Sequence, residues 1–375
     1  MPDILRFTCA LDPLYGGVPH GVTMISQETG KRGISSAIVS VGNSKNALRR
    51  SDEQLRDLRS RQIDVYTSGA IFSNPYGLGG FFRLTIALLK LEKPKVVVVH
   101  QIWTVATLLG YMYSRFFDIY LAVMPHGSLS TYHQSKSSFI KTIASRLLID
   151  KVLKFAKSIV VTSDLEKNEL ESSYLKKTVV IPYGTNVLKP AGISKISQQI
   201  VYAGRITRKK NLDRVIMALP SIKSEFSNAK LIIAGHGDSR ELEEMRELIR
   251  GLGVEKDVEF LGWLNREELI INLAMSEVFV LPSEYENFGH AVMESLSCGT
   301  PVVVSSKVAL AQVVERSKAG VILNENEVNK IALGVRTILR SPREFSDSAI
   351  IVANEEFSWD LITEKWKALI ENEKV

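Results

Sequence analysis

Short runs of apolar, mostly β-branched residues recur along this chain between charged segments of helical period, and the series begins twice. The first series is ILRFTCA (4–10), SSAIVSV (35–41), VVVVH (96–100), IYLAVMP (119–125), SIVVTS (158–163) and TVVIPY (178–183). A polar stretch without a core pattern, KPAGISKISQ (189–198), interrupts it. The series then resumes with QIVYAG (199–204), KLIIAG (230–235), VEFLG (258–262), VFVLPS (278–283), PVVVSS (301–306) and GVIL (320–323). Buried strands alternating with helices make a parallel α/β sheet. The restart predicts two sheets, and 375 residues are enough for two cores. The expected fold class is therefore α/β with two parallel-sheet domains, 1–187 and 188–356.

Charge divides along the same line. Residues 1–190 carry 24 Lys and Arg against 14 Asp and Glu, whereas residues 191–375 carry 23 against 27. The N-terminal half is expected to face something anionic. Two cysteines, Cys9 and Cys298, lie far apart in apolar contexts and imply neither a disulfide framework nor a metal site, which suits a reducing, cytoplasmic setting. No secretory leader is read at the start. The uncharged stretch 96–114 is long enough to be tested as a membrane span. It opens as VVVVH and contains Gln101, Thr104 and Thr107, so a strand, a turn and a buried helix explain it better.

In open α/β sheets ligands sit beyond the carboxyl ends of the strands. The residues there are chemically distinctive: Gly16 and Gly17, His100, His126-Gly127, Gly184, Arg205 and Lys210, Gly235, then Glu286 and Gly289. Arg205 and Lys210, in GRITRKKN (204–211), offer positive charge suited to a diphosphate. Gly289 stands at an expected helix start, where backbone N–H groups and the helix dipole favour a phosphate. Glu294 falls within that helix among Ala291, Val292, Met293 and Leu296, so its carboxylate needs a partner. AGHGD (234–238) lacks the spacing of a dinucleotide fingerprint and reads as a tight turn near a nucleoside. His126 is compatible with a structural or a catalytic role. TSDLE (162–166) reads as a capping box, with a structural role only. No paired-carboxylate Asp-x-Asp motif occurs, so no metal or other cofactor is expected.

Taken in order, these motifs resemble the retaining glycosyltransferases of family 4, glycosyltransferase group 1, over almost the whole chain. EYENFGHAVMES (284–295) is similar to the family's E-x7-E signature, with Asn287 where glycine is usual. Gly16-Gly17 resembles its glycine loop, His126-Gly127 its histidine site, PYGTN (182–186) its linker-edge turn and GRITRKKN its Gly-Arg...Lys motif. AGHGD, FLGWL and SCGTPVV resemble later landmarks. The resemblance implies the GT-B fold, two Rossmann-like domains facing each other across a cleft. Its last helix, here 357–375, would pack back on the N-terminal, acceptor-binding domain. By the same resemblance Glu286 and His126 would meet the donor sugar, and Glu294 the ribose. The Phe288-Gly289-His290 backbone would line the diphosphate, which Arg205 and Lys210 would neutralise.

The implied activity moves a hexose from a UDP- or GDP-sugar to a glycan or lipid-linked oligosaccharide in surface polysaccharide synthesis, without a metal. A sugar-nucleotide epimerase, or another GT-B enzyme acting on a soluble acceptor, is the alternative. The basic segment 135–158 adds an expectation of peripheral contact with anionic membrane at its cytoplasmic face. Nucleic acid is not expected, because no aromatic residues interleave with the basic ones.

Overall fold

The computed structural model describes residues 1–9, 11–12, 17–43, 55–69, 87–129, 148–188, 190 and 192–371. Chain contacts divide it into two compact units: Met1–Tyr183 with Trp359–Val375, and Gly184–Ser358.

The first unit holds a seven-stranded sheet of β1 (Ile4–Thr8), β2 (Ser36–Asn43), β3 (Asp64–Gly69), β4 (Val96–His100), β5 (Tyr120–Met124), β6 (Ser158–Val161) and β7 (Thr178–Val180). The order is β3-β2-β1-β4-β5-β6-β7, parallel throughout. All five residues of β1 and of β4 are buried, as expected of central strands covered on both faces. Alternation along β1 sends Leu5 and Phe7 into a core shared with Val97, Val99, Leu121 and Tyr113. Arg6 is wholly buried, with its guanidinium 4.5 Å from the ring centre of Trp366. Trp366 belongs to the C-terminal helix Trp359–Ile370.

The second unit holds a six-stranded parallel sheet of β8 (Gln199–Ala203), β9 (Lys230–Ala234), β10 (Val258–Gly262), β11 (Val278–Leu281), β12 (Val302–Ser305) and β13 (Gly320–Leu323). Its order is β10-β9-β8-β11-β12-β13. Both units are Rossmann-like, and the α/β class is as the sequence implies. Each apolar run of the sequence contains a strand, and β3 is the strand that the sequence did not announce. Its residues DVYTSG mix polar with apolar because it lies at a sheet edge.

The last helix, expected over 357–375, begins at Trp359. Phe357 ends the preceding helix, Pro342–Phe357, and meets Phe288 of the second unit, while Leu361 is exposed. Trp359, Ile362, Thr363, Trp366, Leu369 and Ile370 are its buried residues. The basic segment 135–158 is described only from residue 148. There Ile149, Val152, Leu153 and Ala156 join the core, leaving Lys151, Lys154 and Lys157 exposed. Lys136, Phe139, Lys141, Ile143, Arg146 and Leu147 lie outside the described residues. Among the described residues no helix is long and apolar enough to cross a membrane. The stretch tested as a span is β4 followed by the helix Val105–Phe117.

Candidate active site

In the second unit the loops at the carboxyl ends of the strands are tied to one another by backbone. Beyond β8 and β9, the Gly204 N–H donates to Ala234 O and the Ile206 N–H to His236 O. A Cβ on Gly235 would stand 1.8 Å from Gly204 O, so these turns meet only because that position has no side chain. Tyr202, buried at the strand end, donates its hydroxyl to the carbonyl of Arg205, whose side chain is exposed. Burial, with Glu286 nearby, holds the Tyr202 phenol above its ordinary value.

The loop that follows β11 is gripped from both sides. Asn211, at φ 53°, donates from Nδ2 to Pro282 O at 2.8 Å, and the Glu284 N–H donates to Lys209 O. On the other side the Glu286 N–H donates to Lys307 O, and the Ala309 N–H donates to Glu286 O. Glu286 is therefore fixed by its main chain while its carboxylate accepts a hydrogen bond from Lys210 Nζ. Both side chains are mostly buried. No local pattern announces this pairing, because the partners lie 76 positions apart.

Gly289 caps the helix His290–Ser297 at φ 96°. That left-handed conformation strains any residue with a Cβ, and Val308 and Val292 already stand 3.3–3.4 Å from where one would be. Val308, which bridges to Glu286, is the residue that crowds Gly289, so the helix start and Glu286 lie at one place. Phe288 is buried edge-on against Phe357 and His290, so it anchors the loop. Asn287 does not adopt positive φ, so the departure from glycine carries no backbone strain.

Glu294 is almost fully buried one helix turn further on. Its charge partner is Arg266, with Nε 3.8 Å from Oε1. Sequence reasoning asked for a partner and did not find this one. Arg266 opens a helix behind the Asn265/Glu268 capping box, and that box was the available signal.

In the first unit His126 follows β5 with φ 54°. Its Nε2 lies 3.0 Å from His100 Nδ1 and its Nδ1 lies 3.1 Å from the Tyr183 hydroxyl. Burial pushes His126 down to about 3 and holds His100 well below its ordinary value, the latter helped by His126 and Arg6. Glu166 does more than cap a helix. Its N–H donates to Ser163 Oγ, as the capping reading requires. Its buried carboxylate, however, accepts from Thr162 N–H and Oγ1 and, at 2.6 Å, from Gly127 N–H. Gly17 begins the helix Gly17–Gly30, and Gly16 lies outside the described residues.

The structure thus gathers Arg205, Lys210, Gly235, Glu286, Phe288, Gly289, His290 and Glu294 on one unit. His126 and Gly17 stand on the other. Among the described residues no group of three or more His, Cys, Asp or Glu could hold a metal ion.

Comparison with known proteins adds the following. The family described as glycosyl transferases group 1 matches residues 187–355, and the one described as glycosyltransferase family 4 matches residues 15–187. An uncharacterised glycosyltransferase of Methanocaldococcus jannaschii is 35% identical over 186 residues, covering 48% of this chain and 46% of its own. A GDP-mannose-dependent α-(1-6)-phosphatidylinositol dimannoside mannosyltransferase of Mycobacterium tuberculosis is 27% identical, covering 60% of this chain and 63% of its own. This chain therefore spans about half to somewhat under two thirds of the length of these relatives. Among solved structures, Anabaena HepE in complex with UDP and glucose superposes with a TM-score of 0.78 at 18% identity, covering 99% of this chain and 100% of its own. The sucrose-phosphate synthase of Thermosynechococcus elongatus gives 0.76 at 20% identity, covering 99% of each chain. At such identities the likeness speaks for the fold, which is GT-B.

Proposed function

The chain belongs to the group 1 glycosyltransferases of family 4, and we propose that it transfers a hexose from a nucleotide sugar with retention of anomeric configuration. The observation that carries this reading is the meeting of Lys210, Glu286 and the Gly289-capped helix at one set of strand ends. A departing nucleoside diphosphate develops negative charge. In this reading Lys210, Arg205 and the helix N-terminus stabilise it, and such preorganised electrostatics act on the barrier. Glu286, clamped by its backbone, accepts from hydroxyls of the donor sugar. Glu294 accepts from the ribose hydroxyls, and His126 is assigned to the donor sugar on the resemblance of its motif. The acceptor attacks on the face from which the diphosphate leaves, without an enzyme nucleophile or a metal.

The acceptor we infer is a glycan or lipid-linked oligosaccharide of surface polysaccharide synthesis, met at the cytoplasmic face of an anionic membrane. Support comes from Trp103, Val105, Met112 and Phe116, exposed on or beside the helix Val105–Phe117, and from the exposed Lys151, Lys154 and Lys157. The HepE structure contains UDP and the mycobacterial relative uses GDP-mannose, so both nucleotides belong in the test. UDP-, GDP- and ADP-sugars are incubated with the protein in excess EDTA, and release of sugar is followed by NMR. Slow hydrolysis of one donor, with the α-anomer released first from an α-linked donor, supports the reading. No hydrolysis or transfer from any donor, with or without divalent ion, removes it.

A further inference from the structure

The first unit contains a polar line through His126 whose other members, His100 and Tyr183, the roles above do not use. His100 ends β4, His126 follows β5 and Tyr183 follows β7, and their rings lie nearly parallel. Ring centres are 5.2 Å apart at 20° for the first pair and 6.3 Å at 16° for the second. The hydrogen bonds at 3.0 and 3.1 Å occupy both nitrogens of His126. A neutral imidazole has one donor and one acceptor, so the state of each neighbour dictates which nitrogen of His126 carries the proton.

Two further features hold this ring. His126 and Gly127 are successive residues with positive φ, 54° and 77°. Backbone of that kind persists only where the surroundings over-determine it, and Glu166 supplies one such restraint through Gly127 N–H. Gly21, on the helix Gly17–Gly30, supplies room. A Cβ there would stand 2.3 Å from Tyr183 Cε1 and 2.5 Å from its hydroxyl oxygen. The tyrosine reaches His126 by lying against bare helix backbone.

We propose that His100, Tyr183 and Gly21 are positioning residues for His126, holding its ring in one tautomer and one orientation. This rests on the donor-site reading for what the ring does, but not for how it is held. The charged groups around the line are Arg6, from β1, and Glu166, from the helix Asp164–Asn168. Burial keeps both imidazoles neutral, so the line fixes a ring rather than delivering a proton.

The test combines imidazole ¹⁵N NMR with steady-state kinetics on Tyr183→Phe and Gly21→Ala. In the unaltered protein His126 should show one neutral tautomer between about pH 5.5 and 8. In Tyr183→Phe its two nitrogen shifts should move toward an exchange average. The kcat should fall about tenfold or more while the donor KM changes by less than about twofold, the mark of lost transition-state positioning. Gly21→Ala should do the same by pushing the ring away. If that variant does not fold, Tyr183→Phe alone decides. Unchanged His126 shifts in Tyr183→Phe, or moved shifts with unchanged kcat, overturn the proposal. If the unaltered protein turns over no sugar nucleotide, the donor-site reading fails on its own. The shifts then judge the holding of the ring by themselves, with unchanged values overturning it.

Discussion

Lys210 and Glu286 form an ion pair between two loops of one unit, with each side chain less than one-fifth exposed. The lysine proposed to meet a leaving diphosphate is thus already held by the carboxylate proposed to meet the sugar. The pair aligns two functional groups before any ligand arrives, and either group left alone would be a half-buried unpaired charge.

Lys210→Ala should therefore act on both barrier and fold. The kcat/KM should fall by about a hundredfold, roughly 2.7 kcal/mol of transition-state stabilisation. Thermal stability should fall as well, more than a surface substitution allows, because Glu286 is stranded. Combining it with Glu286→Gln should restore part of the lost stability, with a coupling of about 0.5–3 kcal/mol in a double-mutant cycle. Strictly additive losses would remove the pairing from the account.

Glu294→Gln should weaken nucleoside diphosphate binding by about 1.5–3 kcal/mol, the worth of charge-assisted hydrogen bonds. Arg266 is half exposed and 3.8 Å away, so Arg266→Ala should cost much less. Titration calorimetry on both variants checks the ranking. Equal losses would mean that Arg266 itself contacts the nucleotide.

The buried histidines give a pH dependence of known sign. The folded value of His126 is about 3 and that of His100 is well depressed, against about 6.5 in the unfolded chain. Below about pH 6.5 the unfolded state binds protons that these rings refuse, so this contribution is full above that pH and declines as pH falls toward the folded values. The slope is at most ~1.4 kcal/mol per pH unit for each ring. Urea unfolding at about pH 7 and pH 5 should give a smaller difference for His126→Gln than for the unaltered protein. An equal difference would show that the ring is protonated in the folded state.

Vesicle co-sedimentation checks the membrane reading. Binding should require anionic lipid and weaken with salt as the Debye length shortens. Changing Met112 and Phe116 to Ser, or Lys151, Lys154 and Lys157 to Gln, should each reduce it. Binding that is indifferent to lipid charge, or absent, would point to a soluble acceptor.

The legible parts of this chain were those with a local physical signature. Strands such as VVVVH and PVVVSS announce themselves because both faces are buried. β3 did not, because an edge strand keeps polar residues. At the site, Glu286, Gly289 and Glu294 stand within one short stretch and could be read together. Lys210 beside Glu286, Arg266 beside Glu294 and Tyr183 beside His126 could not, because each pairing is made by the fold across long chain separations. Glu166 was legible as a cap but not as a clamp, since spacing alone does not say where a carboxylate ends up.

The membership of Trp359–Ile370 in the first unit sets a timetable for synthesis. Arg6 is made long before Trp366, whose ring covers it from far along the chain. Asp360 likewise pairs with Arg32 across 328 positions. The second unit is contiguous and can close as it leaves the ribosome. The first must wait with its cationic strand uncovered until Trp359–Ile370 has been made, since contacts of such long sequence separation form only after the intervening chain exists. A nascent chain stopped at Ser358 would hold a finished second unit beside an unfinished first one.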